Sequence, residues 1–392
     1  MSSYSPQLPQ HSKLDVAALS RLFKSTSTSY KFLFFLAILN TLQSTHRKEG
    51  EPVRFALEDL AVEMALLSWY PIQFYKLSFG WQDQVAKIIS QLQFDPSFKA
   101  ITSTRGQTQL RAAIKEQAKD IGLYSLLRFV PYRLLSPFYS AELSGIPEKR
   151  KNDAIADLAS QYNTQTIPLY SFVQDQDQAC IQIHPEWVNY LLQAGNITIV
   201  KDWTLMGWIS YLQKRNPNTP AIINKVLPPI KRSSLSSQTS FWKKIIEADA
   251  GQDLRCIYSN EPLLNQSFSL DHFLPWTFIC HDQIWNLCPV TPSSNSSKGN
   301  KLPADDYVEK FIQQQIQALE VSSKVMSAKS WDKITESYAM DLRLDPKLLL
   351  DENAVRDAYT GVLMPMMTLA KTSGFEASWL YKNEPHSSEN NI

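Results

Sequence analysis

The sequence predicts a mainly α fold with a small α+β insert, between a helical N-terminal domain and a helical C-terminal segment. Three observations lead there. Glycine is scarce, 11 in 392 residues, which disfavours a turn-rich all-β fold. Apolar residues recur at helical spacing along most of the chain. Strand-like runs are confined to 167–200 and to the region 250–305.

Taken in order, residues 1–13 are polar and Pro-containing and read as a loose tail. Ala18, Leu19, Leu22 and Phe23 then fall on one helical face. The Ser/Thr cluster Ser25 to Ser29 is placed to cap a helix over Tyr30 to Leu42. A strongly apolar helix follows over 57–70, ended by Pro71. Trp81 to Leu92, Gln107 to Lys119 and Lys151 to Tyr162 read as helices. The stretch 121–143, with aromatics between prolines, shows no clear period. Pro168 to Val173, Ala179 to Ile183 and Ile197 to Val200 look like strands. Glu186 to Leu192 and Trp203 to Lys214 look like helices. Pro217, Pro220, Pro228 and Pro229, with serines at 233–240, mark a linker within 216–240. Trp242 to Ala250 is amphipathic. After Pro303, Asp306 to Val321, Trp331 to Leu342 and Glu352 to Ala370 read as helices, and the last dozen residues as frayed. The expected division is a mainly helical domain 1–235, a small α+β module 240–310 and a helical segment 311–392 that packs on that module.

Composition bounds the function. Apolar residues make up 44% of the chain and aromatics 11%, enough for sizeable cores. With 39 basic and 38 acidic residues the formal charge is +1. Any nucleic-acid contact must therefore concentrate its positive charge locally. The cysteines, Cys180, Cys256, Cys280 and Cys288, are too scattered for a disulfide framework, so a reducing cytoplasm is expected. No signal peptide is read at the N-terminus. The most apolar run, Phe32 to Leu39, is far shorter than the roughly 20 residues of a membrane span, so no membrane partner is expected.

The chemistry concentrates in Asp271-His272-Phe273-Leu274-Pro275, Trp285-Asn286-Leu287 and Asn295-Ser296-Ser297-Lys298. A carboxylate and an imidazole stand side by side, Asn286 lies fourteen residues after His272, and Asn295 nine after Asn286. Chance rarely supplies all three pieces in order. The arrangement resembles the HNH (His-Asn-His, ββα-metal) endonuclease family, in its variant with Asn at the third signature position. The resemblance covers about 250–305. It implies two antiparallel strands and a helix, with a metal-dependent nuclease site upon them.

Phosphodiester hydrolysis needs an activated water and charge neutralisation at phosphorus. A near-neutral imidazole suits proton abstraction, so His272 is the expected general base. In an extended strand Asp271 would point to the opposite face. The resemblance makes Asp271 a metal ligand, with Asn295 where the family often has a second metal-binding histidine. Hard oxygen ligands suit Mg²⁺, with Mn²⁺ as an alternative, better than Zn²⁺. The resemblance makes Asn286 the residue that ties the loop between the strands and holds His272. Lys298, one turn after Asn295, is expected to meet a phosphate or else to be a solvated helix lysine. Lys301 is a weaker candidate.

Many members of that family carry a structural zinc on two CxxC pairs. Here the pairs would be Cys256 with Ser259 and Cys288 with Thr291, each short of one thiol, so no structural zinc is expected. His281 and Asp282 read as a surface turn. His184, and His46 beside Arg47 and Lys48, have no partners at metal spacing. Tyr30, Trp69, Tyr70 and Trp81 read as core aromatics rather than base-stacking platforms.

The first functional expectation is a DNA endonuclease, in restriction or anti-phage defence, with the N-terminal region supplying recognition or control. RNA is a lesser substrate candidate, and a protein partner or homo-oligomer is allowed. The competing reading is a noncatalytic nucleic-acid-binding or assembly protein that kept the fold, or an RNase.

Overall fold

The computed structural model describes residues 7–45, 52–94, 104–161, 166–193, 195–227 and 233–382. The expectations for His46, Arg47, Lys48, Tyr162 and the frayed terminus beyond 382 lie outside them. The chain divides into two units, Met1–Pro217 with Lys225–Ile230, and Asn218–Asn224 with Lys231–Ile392. The fold is mainly α with small antiparallel sheets, as the sequence predicts.

The first unit holds α1 (Val16–Ser20), α2 (Tyr30–Ser44), α3 (Leu57–Trp69), α4 (Val85–Ile89), α5 (Thr104–Gln117), α6 (Val130–Leu134), α7 (Lys151–Ser160), α8 (Pro185–Leu192) and α9 (Asn196–Arg215). Its sheet has β1 (Arg54–Ala56), β2 (Tyr170–Asp175) and β3 (Gln178–Ile183) in the order β1-β3-β2. Helix α2 is apolar on every side and buries Phe32 through Leu39 without a break. Such a helix is stable only at the centre of a bundle, and α3, α6 and α9 pack around it. Strands β2 and β3 form a hairpin through Gln176 and Asp177, both at positive φ. Two such central residues match the right-handed twist of the strands.

Several local expectations change here. Ile197 to Val200 is the first turn of α9, not a strand. β-branched residues carry only a weak preference, and the long apolar stripe of α9 overrides it. Pro71 does not end α3, because the chain continues as a π-helical turn over Tyr70–Phe74. Ser29 does not cap α2 with its side chain. Its amide and hydroxyl both donate to Asp83 Oδ2 at 2.7 Å. The expected helix from Trp81 shrinks to α4, and Trp81 is 99% exposed rather than core, whereas Trp69 is buried. The end of the supposed tail is packed, with Leu8 buried and Tyr190 donating to the Pro9 carbonyl at 2.8 Å. Strand β1 had no sequence signal.

Helix α10 (Ile222–Val226) falls where the chain passes between units. The second unit continues with α11 (Ser236–Glu247), β4 (Ser269–His272), α12 (Trp276–Ile279), β5 (Leu287–Val290), α13 (Pro292–Lys298), α14 (Asp306–Val325), α15 (Ala328–Asp341) and α16 (Glu352–Thr372). One hydrophobic core runs from Phe241 and Trp242 through Phe273 and Trp285 to Phe311, Tyr359 and Trp379. After α11 the chain turns at Gly251, where an added Cβ would lie 1.8 Å from the Ile245 carbonyl oxygen. Among the described residues, no helix is long and apolar enough to cross a membrane.

Candidate active site

Strand β4 pairs antiparallel with β5, with Asp271 opposite Cys288 and His272 opposite Leu287. The pleat sends successive side chains to opposite faces. Asp271 therefore turns toward Tyr258 and α13, and His272 toward the 280–286 segment. Asn286 is fully buried. Its amide accepts from the Leu274 N–H and donates to the Leu274 carbonyl, each at 2.9 Å. Its own carbonyl accepts from the Phe273 N–H at 2.9 Å. One asparagine thus supplies both a donor and an acceptor to the turn that leaves His272.

Helix α13 carries Asn295 and Lys298 one turn apart. The Lys298 side chain has no exposed surface. Its ammonium lies 3.1 Å and 2.9 Å from the two Asp271 oxygens and donates to the His272 carbonyl at 2.7 Å. This departs from both expectations for Lys298, since the side chain reaches neither solvent nor a phosphate-accessible position. It locks α13 across β4 instead. Tyr258 adds a second donor, its hydroxyl 2.7 Å from Asp271 Oδ2. Burial, and then the Asp271 charge, push the Tyr258 phenol well above its ordinary range, so it stays a donor. Burial and the same carboxylate likewise raise the Cys288 thiol. Asn295 is half-buried, and its side-chain amide makes no hydrogen bond among the described residues.

Two strands and a helix, an acid–imidazole pair on the first strand and a buried asparagine pinning the following turn decide the comparison. Residues 256–304 match the HNH endonuclease family. The match covers a limited segment of the chain, and no curated protein or solved structure matches significantly. An HNH segment implies a nuclease, with nucleic acid as the substrate class.

Within the HNH segment, the second half of the expected thiol pairs is corrected. Cys256 faces Ser259, Thr291 and Ser294, not Cys288. Its sulfur accepts from the Ser259 N–H at 3.4 Å and the Thr291 N–H at 3.5 Å, and lies 3.5 Å from Ser294 Oγ. Thr291 donates to Ser294 Oγ at 2.9 Å. One thiol and three hydroxyls thus knit the loop after α11 to the start of α13. Burial raises the Cys256 thiol, but the hydrogen bonds from Ser259, Thr291 and Ser294 together carry it below its ordinary value. Cys288 sits elsewhere, against the Asp271 carbonyl at 3.8 Å.

Asp282 is the residue that sequence reasoning missed. Its Oδ1 lies 2.9 Å from His272 Nε2, so it is no mere surface turn. The side-by-side His281 and Asp282 were the only available signal, and His281 instead leans on the Trp285 ring. Lys301 is half-exposed and pairs with Glu376 at 3.5 Å. In the first unit His184 caps α8, and burial lowers its pKa.

The helices after the HNH segment also hold the site. Gln315 of α14 donates to the Leu287 carbonyl at 2.8 Å and accepts from Tyr338 at 2.7 Å. Tyr359 of α16 donates to the Trp285 carbonyl at 2.8 Å. Trp285 donates to Asp341 at 2.6 Å.

A divalent cation implied by the family can be tested against these donors. No group of three or more His, Cys, Asp and Glu side chains suited to a metal occurs among the described residues. With Lys298 on both oxygens and Tyr258 on one, the Asp271 carboxylate keeps about one further acceptor site, and the Asn295 amide oxygen takes no hydrogen bond among the described residues. A carboxylate and an amide oxygen are donors of the type Mg²⁺ takes, although the Asp271 carboxylate is buried and already held by Lys298 and Tyr258. Lys298 is then a built-in competitor for the Asp271 charge.

Proposed function

We propose that this protein is a metal-dependent HNH endonuclease that hydrolyses phosphodiester bonds in DNA, in a cytoplasmic restriction or anti-phage role. His272 takes the proton from the attacking water. Asp271 and Asn295 would hold Mg²⁺ or Mn²⁺, which when bound neutralises charge on the scissile phosphate. Asn286 keeps the His272 backbone in register. Lys298 balances the Asp271 charge and fixes α13. The observation that carries this reading is the pair Asp271 and His272 at the end of β4, on opposite faces, with the helix bearing Asn295 locked over the strand.

The test is purified protein with plasmid, single-stranded DNA and RNA, in Mg²⁺, Mn²⁺ or EDTA. Cleavage of DNA with metal and none in EDTA is expected. His272→Ala should lose the roughly 10²–10⁴ in rate that a general base contributes, with folding and DNA binding intact. Wild-type cutting by that variant would refute the assignment of the base. Preference for RNA would move the substrate class and leave the chemistry standing.

A further inference from the structure

We propose that Asp282 is a positioning residue that sets the tautomer of His272, so that Nε2 carries the hydrogen and Nδ1 is the nitrogen that accepts the proton from water. The proposal rests on the reading of His272 as the base. A neutral imidazole can take a proton only at the nitrogen that lacks one, and the partner of the other nitrogen decides which that is. Asp282 Oδ1 lies 2.9 Å from Nε2. An ionised carboxylate only accepts hydrogen bonds, so Nε2 must donate. Among the described residues the His272 ring makes no other hydrogen bond, so no protein donor competes for Nδ1.

The pair is built to hold this geometry. The His272 side chain is 10% exposed and that of Asp282 19%, so water competes weakly for the bond. The backbone around Asp282 is pinned on both sides. Cys280 ends α12 in the left-handed region, at φ 59°. Gln238 of α11 donates to the Asp282 carbonyl at 3.0 Å. The Asn286 N–H donates to the Gln283 carbonyl at 3.2 Å. Asn286 therefore anchors both chain segments that meet at the imidazole: the turn after His272 and the approach from Asp282. A carboxylate ten residues on in sequence is thereby delivered to one ring nitrogen.

The chain has 6 histidines, few enough for the imidazole nitrogens to be observed by ¹⁵N NMR in selectively labelled full-length protein, with His272→Gln assigning the signal. In the wild type at a pH where His272 is neutral, a protonated-type shift is expected at Nε2 and an unprotonated one at Nδ1. In Asp282→Asn the amide can turn either its oxygen or its NH₂ to the ring, so both tautomers should appear. Asp282→Ala should lose the preference, and Asp282→Glu should keep it in part. With Mg²⁺ and plasmid, Asp282→Asn should lower kcat by part of the roughly 10²–10⁴ a base contributes, with KM unchanged.

A wild-type ring protonated at Nδ1, or a tautomer unchanged in Asp282→Asn, overturns the proposal even if His272 proves essential. If His272→Ala cuts normally, the reading of the base fails, while the tautomer measurement still reports what Asp282 does to the ring. A merely structural Asp282 would lower thermal stability in Asp282→Asn and leave the tautomer alone, which also overturns it.

Discussion

At the scale of single residues, the proposed reading gives the Asp271 charge two claimants, the Lys298 ammonium and a divalent cation. Removing the lysine leaves a buried carboxylate with Tyr258 as its one remaining side-chain donor among the described residues. Breaking such a pair costs about 3–5 kcal/mol, so Lys298→Met should melt well below the wild type. On the proposed reading a divalent cation can then supply the missing counter-charge. Mn²⁺ should raise the melting temperature of Lys298→Met by more than it raises that of the wild type. Equal gains would mean that the metal does not meet Asp271. A second outcome concerns pH. Burial raises the phenols of Tyr258, Tyr338 and Tyr359 in the folded protein, above an unfolded value near 10. The folded state therefore binds more protons above that pH. Stability from these groups is complete below about pH 10 and is lost as pH rises further. Thermal melts between roughly pH 8 and 11 should fall at the alkaline end. Asp271, His272, Asn286 and Asn295 were legible as candidates because their types and spacing are those the expected chemistry needs. Asp282 and Tyr258 were not legible, since their meaning lies in which distant atom they meet. Lys298 was misread because helical spacing gives a face but not what covers it.

At the scale of elements, the long apolar periods of α2, α3, α14 and α16 read through to the structure, whereas short elements did not. Strand β1 has three residues, too few for any period to show. The start of α9 has the β-branched look of a strand, yet pairing is settled by neighbours, and β3 already has partners on both edges. Pro71 sits in a π-helical turn whose widened ladder carries Tyr75 N–H to the Tyr70 carbonyl at 3.2 Å. A proline stop signal cannot foresee that accommodation. The turn after α11 offers the sharpest test at this scale. Gly251 leaves no room for a methyl group, because the obstacle is the Ile245 carbonyl in the last turn of the helix. Gly251→Ala must push the helix end away from the turn. A loss of about 1–3 kcal/mol is expected, in the range of an overpacked core, readable by denaturant unfolding. An unchanged midpoint would show that the turn relaxes freely.

At the scale of the whole molecule, the HNH segment shares its core with the helices that follow it. The core around Phe273 and Trp285 is completed by Phe311, Tyr338 and Tyr359, and the polar ties from Gln315, Tyr359 and Asp341 reach the strand and turn that carry the site. Sequence reasoning expected the C-terminal helices to pack on this segment, but not which side chains meet there, because burial on a common core is a property of the folded chain and not of any window within it. The consequence is testable by truncation. A fragment spanning 240–310 should show no cooperative thermal unfolding, since it exposes the apolar faces that α14 and α16 cover. A fragment spanning 233–382 keeps α11 from its first turn, with Phe241 and Trp242 in place, and all of the helices that close the core. It should unfold in one cooperative transition and keep the His272–Asp282 contact, reported by the imidazole nitrogen shifts. If the shorter fragment melts cooperatively, the HNH segment is self-sufficient and the C-terminal helices serve something other than its stability. If the longer one fails to fold, the second unit needs chain from outside 233–382. With both outcomes as expected, loss of target selectivity in the longer fragment would assign recognition or control to the residues that precede it.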